Sequence, residues 1–126
     1  MIGNRICAAV LSAAVVMISF APSVIAAPFD GNWKMLVVTT SGHCGKIPVG
    51  LGISHGRVYS TSGSFVFHPI KLSGHVSASG HAVLKAVAGP RIAKGSGRFS
   101  RSKAMGTWRG TGPSGVCSGI WTATRS

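Results

Sequence analysis

Asp30 is the only carboxylate side chain in the 126 residues, and that fact removes most of the chemistry a chain of this size can support. Glycosidic hydrolysis by paired acidic groups needs a second carboxylate. Carboxylate-built magnesium and calcium sites fall on the same ground. A Ser-His-Asp triad would have to recruit Asp30 itself, since no other carboxylate is present. Histidine is the remaining acid–base group, at positions 43, 55, 68, 75 and 81. Two of these beside a Lys or Arg would support ribonuclease-like hydrolysis, with the imidazoles exchanging protons and the cation stabilising a phosphorane-like state. His75 and His81 flank an expected turn, which sets them to face each other across two strands. No H-x-x-x-H or Cys-x-x-Cys spacing supports a metal. Five polar rings on loops and strand faces is the plainer reading, so we expect no metal, no cofactor and no catalytic residue.

Charge is more informative. Thirteen Lys and Arg stand against one acid, a formal net charge of +12. Six of the cations, Arg91, Lys94, Arg98, Arg101, Lys103 and Arg109, fall within 19 residues that contain no acid. Ser and Gly separate them, so backbone N–H groups are available to assist in holding anions. These six residues are the expected contact surface for a polyanion: lipopolysaccharide phosphates, anionic lipid, acidic polysaccharide or nucleic acid. Solubility alone is the competing explanation, but so one-sided an excess works against the compact state by self-repulsion.

The elements that must position these groups begin after an export signal. Arg5 precedes an apolar run from Ile6 to Phe20, and Val24 and Ala26 suit the positions before a cleavage site. Cutting after Ala26 avoids leaving Pro28 next to the scissile bond. The run of about 15 residues is short of the roughly 20 a spanning helix needs. We therefore expect 1–26 to be removed and 27–126 to form one domain with no transmembrane segment, acting in the periplasm or outside the cell. Cys7 and Arg5 leave with the leader. That reduces the charge to +11 and leaves only Cys44 and Cys117. In an oxidising compartment such a pair is expected to form one disulfide.

No segment of 27–126 sustains a helical period. Short runs rich in Val, Ile, Phe, Trp and Thr recur between glycine-bearing turns, which predicts an all-β fold, a small antiparallel barrel or sandwich of about eight strands. The expected strands are 31–40, 47–53, 56–60, 64–72, 74–78, 81–88, 95–100, 104–110 and 115–124, the first pairing with the last. Turns are expected at Ser41-Gly42, Ser54-His55-Gly56, Ser79-Gly80 and Gly89-Pro90. Trp33, Trp108 and Trp121 each lie two or fewer residues from a Gly in an alternating strand, where a small barrel needs bulk, so they are expected in the core.

Gly31-Asn32-Trp33 on the first strand, with Arg125 on the last, resembles the closure signature of calycin-type barrels such as lipocalins and avidins. The layout Phe29-Asp30-Gly31-x-Trp33, then Gly106-Thr107-Trp108-Arg109-Gly110 and Cys117-x-Gly119-x-Trp121, is similar to small secreted and periplasmic proteins of proteobacteria. The resemblance implies a barrel and an exported location, and no activity. A calycin-like carrier would hold a small apolar ligand inside the barrel, although at this length side chains are expected to fill the interior.

Overall fold

Ten strands follow one another in residues 28–126, the part of the chain that the computed structural model describes. The leader, 1–26, lies outside the described residues. The strands are β1 (Gly31–Ser41), β2 (Lys46–Ser54), β3 (Arg57–Ser62), β4 (Ser64–Phe65), β5 (His68–Pro69), β6 (Lys71–Val76), β7 (His81–Ala88), β8 (Arg91–Phe99), β9 (Lys103–Gly112) and β10 (Gly115–Arg125). Eight of them close an antiparallel barrel in the order β1-β10-β9-β8-β7-β6-β3-β2, and β4 with β5 forms a separate small hairpin. The expected pairing of first strand with last completes the circle, from Trp33 opposite Arg125 to Val38 opposite Ile120.

Period-two alternation decides which side chains enter. On β7, Ala82, Leu84 and Ala88 are buried while His81, Val83 and Lys85 are exposed. On β1, Trp33 and Met35 are buried while Lys34 and Leu36 face out. The β2–β3 turn places His55 at φ 53° and Gly56 at φ 78°, the paired left-handed geometry that suits a two-residue hairpin.

The segment expected as one strand over 64–72 is instead folded back on itself. Val66 and Phe67 both take left-handed backbone, at φ 50° and 65°, and turn β4 into β5 before β6 begins at Lys71. Val66 and Phe67 are strand-forming residue types, which concealed the reversal. A left-handed residue with a Cβ costs about 1–2 kcal/mol, and a β-branched one is an unusual occupant. Strand β8 also starts earlier than expected, at Arg91, because Gly89 at φ 60° and Pro90 suffice as its turn.

One end of the barrel is plugged by aromatic rings. Phe99 meets Trp33 edge-on at 4.9 Å between centroids, with Trp121 at 5.9 Å and Phe29 at 6.0 Å. Trp33 and Trp121 are 1% and 2% exposed. Burying a ring system of that size is worth up to about 4–6 kcal/mol of transfer free energy. Room for Trp121 comes from glycine. Gly97 stands opposite Gly106, and a Cβ on either would lie 2.6 Å from the indole. Arg125 closes this end from outside the rings, its guanidinium 4.6 Å over Trp33. Its Nη1 donates to the Asp30 carbonyl and its Nη2 to that of Pro28, each at 2.7 Å, and its Nε donates to the Arg101 carbonyl at 3.0 Å. At the opposite end Cys44, in the β1–β2 loop, is bonded to Cys117 on β10, as expected, with 6.2 Å between their Cα atoms.

Candidate functional site

Strand register assembles the cations into rows that the linear sequence hides. Around the Gly89–Pro90 turn, Lys85 on β7 stands opposite Lys94 on β8. Lys94 in turn stands opposite Arg109 on β9. All three are exposed and share the outer face of the wall, with Ser73 and Ser118 as the next neighbours in the row. Adjacent strands lie about 4.8 Å apart, so the three cationic stems occupy a strip of roughly 10 Å. Four residues further along β8, Arg98 faces out beside His81 and Met105, and Lys103 is exposed at the start of β9. Arg98 therefore lies about 13 Å from the Lys85–Lys94–Arg109 row, with Val83, Ser96 and Thr107 between them.

The one carboxylate does not offset them. Asp30 accepts the backbone N–H of His55 at 2.7 Å through Oδ2 and that of Gly56 at 3.1 Å through Oδ1, fixing the β2–β3 turn. Like charges opposed across a sheet are unfavourable, so this row is a local charge concentration that the fold maintains against its own stability.

Of the six cations singled out from the sequence, Lys94, Arg98, Lys103 and Arg109 share the outer wall of β8 and β9. Arg101 is exposed in the turn between those strands. Arg91 departs from the group: it is three residues before Lys94, hence on the opposite face, and its guanidinium lies 5.4 Å over the Phe65 ring at the disulfide end of the barrel. Lys85 was missed because it belongs to an earlier strand, although it lies as many residues before the turn as Lys94 lies after it.

The histidines do not gather. His75 stands opposite Val83 rather than His81. His81 Nε2 is 3.0 Å from Arg98 Nη2, on the convex outer wall. None of the five lines the barrel interior.

That interior is not filled, contrary to the expectation from chain length. A cavity of about 120 Å³ occupies the disulfide end, bounded by Val49, Ile70, Leu84, Trp108 and Trp121 among others. The reason lies in the inward positions there. Ala86, Ala93, Gly95, Gly110 and Gly112 are too small to meet across the barrel. Trp108 is only half-buried and spans part of the gap, its Nε1 donating to the Val38 carbonyl at 3.2 Å. Trp121 carries a buried Nε1–H with no acceptor among the described residues.

The fold and these surfaces define a class: a small, disulfide-linked, closed antiparallel barrel with a cationic outer wall. Comparison with known proteins goes no further, since no family model, no curated protein and no solved structure matches the chain at a significant level.

Proposed function

We propose that this is an exported, non-enzymatic binding protein whose outer wall over β7, β8 and β9 holds an anionic partner of the cell envelope or its surroundings. The observation that carries the reading is the row Lys85–Lys94–Arg109, three like charges in directly opposed positions with the single carboxylate committed elsewhere. A fold tolerates such a row at a cost in stability, and an anion laid along it removes the cost. Export accounts for the apolar leader, the cleavage-site residues and the disulfide together. Binding to a polyphosphate or heparin-type column is expected to fall steeply with salt as condensed counterions are released. A Lys85→Gln, Lys94→Gln, Arg109→Gln variant is expected to reduce the slope of log affinity against log salt by about three. A slope unchanged by the triple substitution overturns the proposal.

The cavity favours a second reading, an apolar-ligand carrier. Its volume suits one ring or a short alkyl chain, since an engineered apolar cavity of about 150 Å³ accommodates benzene. Xenon or benzene occupancy, read from chemical-shift changes of Leu84 and Val49, tests it; unchanged shifts at saturation exclude it.

A further inference from the structure

The β4–β5 hairpin ends in a feature that no folding requirement explains. Phe67 is 100% exposed and Val66 46% exposed, and both occupy left-handed backbone, which glycine or asparagine adopts at lower cost. A turn of this type is ordinarily Asn-Gly. Here two apolar residues are held in a conformation unsuited to them and pointed into water.

The surroundings give the tip a direction. Phe65, at the base of the hairpin, lines the cavity, and the hairpin packs so closely on the β7–β8 turn that a Cβ on Gly89 would touch the His68 ring. The tip therefore rises from the disulfide end of the barrel. On the wall at that same end, register sets Val87, Ile92, Thr111 and Val116 side by side in one outward row. Ile92 and Val116 are 44% and 49% exposed. The next outward row, two residues deeper, is Lys85–Lys94–Arg109. Two residues of strand measure about 7 Å.

This is the order of groups that a lipid surface presents in reverse: an apolar tip and rim, then cations about 7 Å behind. A peripheral element buries its apolar side chains about 5–10 Å into the headgroup and acyl boundary while its Lys and Arg remain with the phosphates. A soluble polymer would require the cations and leave Phe67 and Val66 without a role. We infer that the disulfide end of the barrel docks on an anionic phospholipid bilayer, with Phe67 and Val66 entering the acyl boundary and Lys85, Lys94 and Arg109 meeting the headgroup phosphates. The inference rests on the proposed cationic wall and narrows its partner to a lipid surface.

Vesicle flotation of the purified protein tests it, with vesicles of pure phosphatidylcholine and of an equal mixture with phosphatidylglycerol, at low and high salt. The wild type is expected to float with the mixed vesicles at low salt only. A Val66→Asn, Phe67→Gly variant installs the preferred turn, so its melting temperature should be unchanged or raised. Its partition into mixed vesicles should nonetheless fall about tenfold to a hundredfold, the loss of one buried aromatic side chain, with retention on a polyphosphate column unaltered. As an independent readout, the added emission of a Phe67→Trp variant should shift to the blue on addition of mixed vesicles. Equal flotation of wild type and the Asn-Gly variant overturns the inference, as does unshifted Phe67→Trp emission. Retention on polyphosphate without flotation overturns the lipid partner and leaves the cationic wall standing; neither flotation nor retention overturns both.

Discussion

Replacing Lys94 by Gln should strengthen the fold while weakening its interaction with anions. Lys94 is the middle member of the cationic row, directly opposite Lys85 on one side and Arg109 on the other. At a charge separation of about 6 Å in water, each contact amounts to about 0.7 kcal/mol of repulsion before screening. The side chain is exposed and mobile, and screening at moderate ionic strength removes roughly half. The variant should therefore gain about 0.5–1 kcal/mol at moderate ionic strength, a rise of about 2–6 °C in Tm for a domain of this size, and somewhat more at low salt. Gln preserves the length and polarity of the stem, so packing changes little. Lys34 supplies the control, because it faces out opposite Thr124 and Gly50 and removing its charge relieves no opposed cation. Thermal melts of wild type, Lys94→Gln and Lys34→Gln at low and high salt, paired with elution from a polyanion column, make the measurement. The Lys94→Gln gain should shrink as salt rises, and its salt slope of binding should fall by about one. A gain that persists unchanged in high salt, or a loss of stability at low salt, refutes the opposed-charge argument.

Two further perturbations address the scaffold. The disulfide closes a sequence separation of 73 residues, so a Cys44→Ser, Cys117→Ser variant should lose about 4 kcal/mol on the chain-entropy account and melt roughly 20 °C lower; a melting curve indifferent to reductant would contradict this. Gly106→Ala should cost about 1–3 kcal/mol or more in urea unfolding and alter the near-ultraviolet tryptophan signal, because the new methyl group meets the Ser96 carbonyl and the Trp121 indole; a variant with wild-type stability and spectrum would show that the indole has room to move.

Much of the scaffold could be read from residues alone, for identifiable reasons. Short apolar runs between glycine-bearing turns made β1 and β7 legible as strands, and Trp33 was expected in the core, where it lies. The disulfide required only counting cysteines once the leader is set aside. The cationic outer wall was half-visible: Lys94, Arg98 and Arg109 stood out as a cluster, but Lys85 joins them only through register around Gly89–Pro90, and strand parity alone removes Arg91. The β4–β5 reversal was hidden because Val66 and Phe67 are strand formers in a conformation that strand formers avoid. The cavity was hidden for a different reason. Whether Gly95 and Gly110 make room for a neighbouring indole or leave a void depends on which residues face them across the barrel, and that is a property of closure rather than of any single strand.

Closure also determines how this protein fails. Most neighbouring strands in the barrel are joined by short turns, whereas β1 and β10 meet only after the rest of the chain has folded between them. The seam they form is tied by Cys44–Cys117, so one covalent bond guards the only joint made at such long range among the described residues. Parted, β1 and β10 would each present an 11-residue free edge with its backbone donors and acceptors unpaired. The β1 of one molecule is then the natural partner for the β10 of another. Reduced at high concentration, the protein would be drawn towards strand-exchanged dimers and open chains, with the monomeric barrel persisting for as long as its oxidised seam holds.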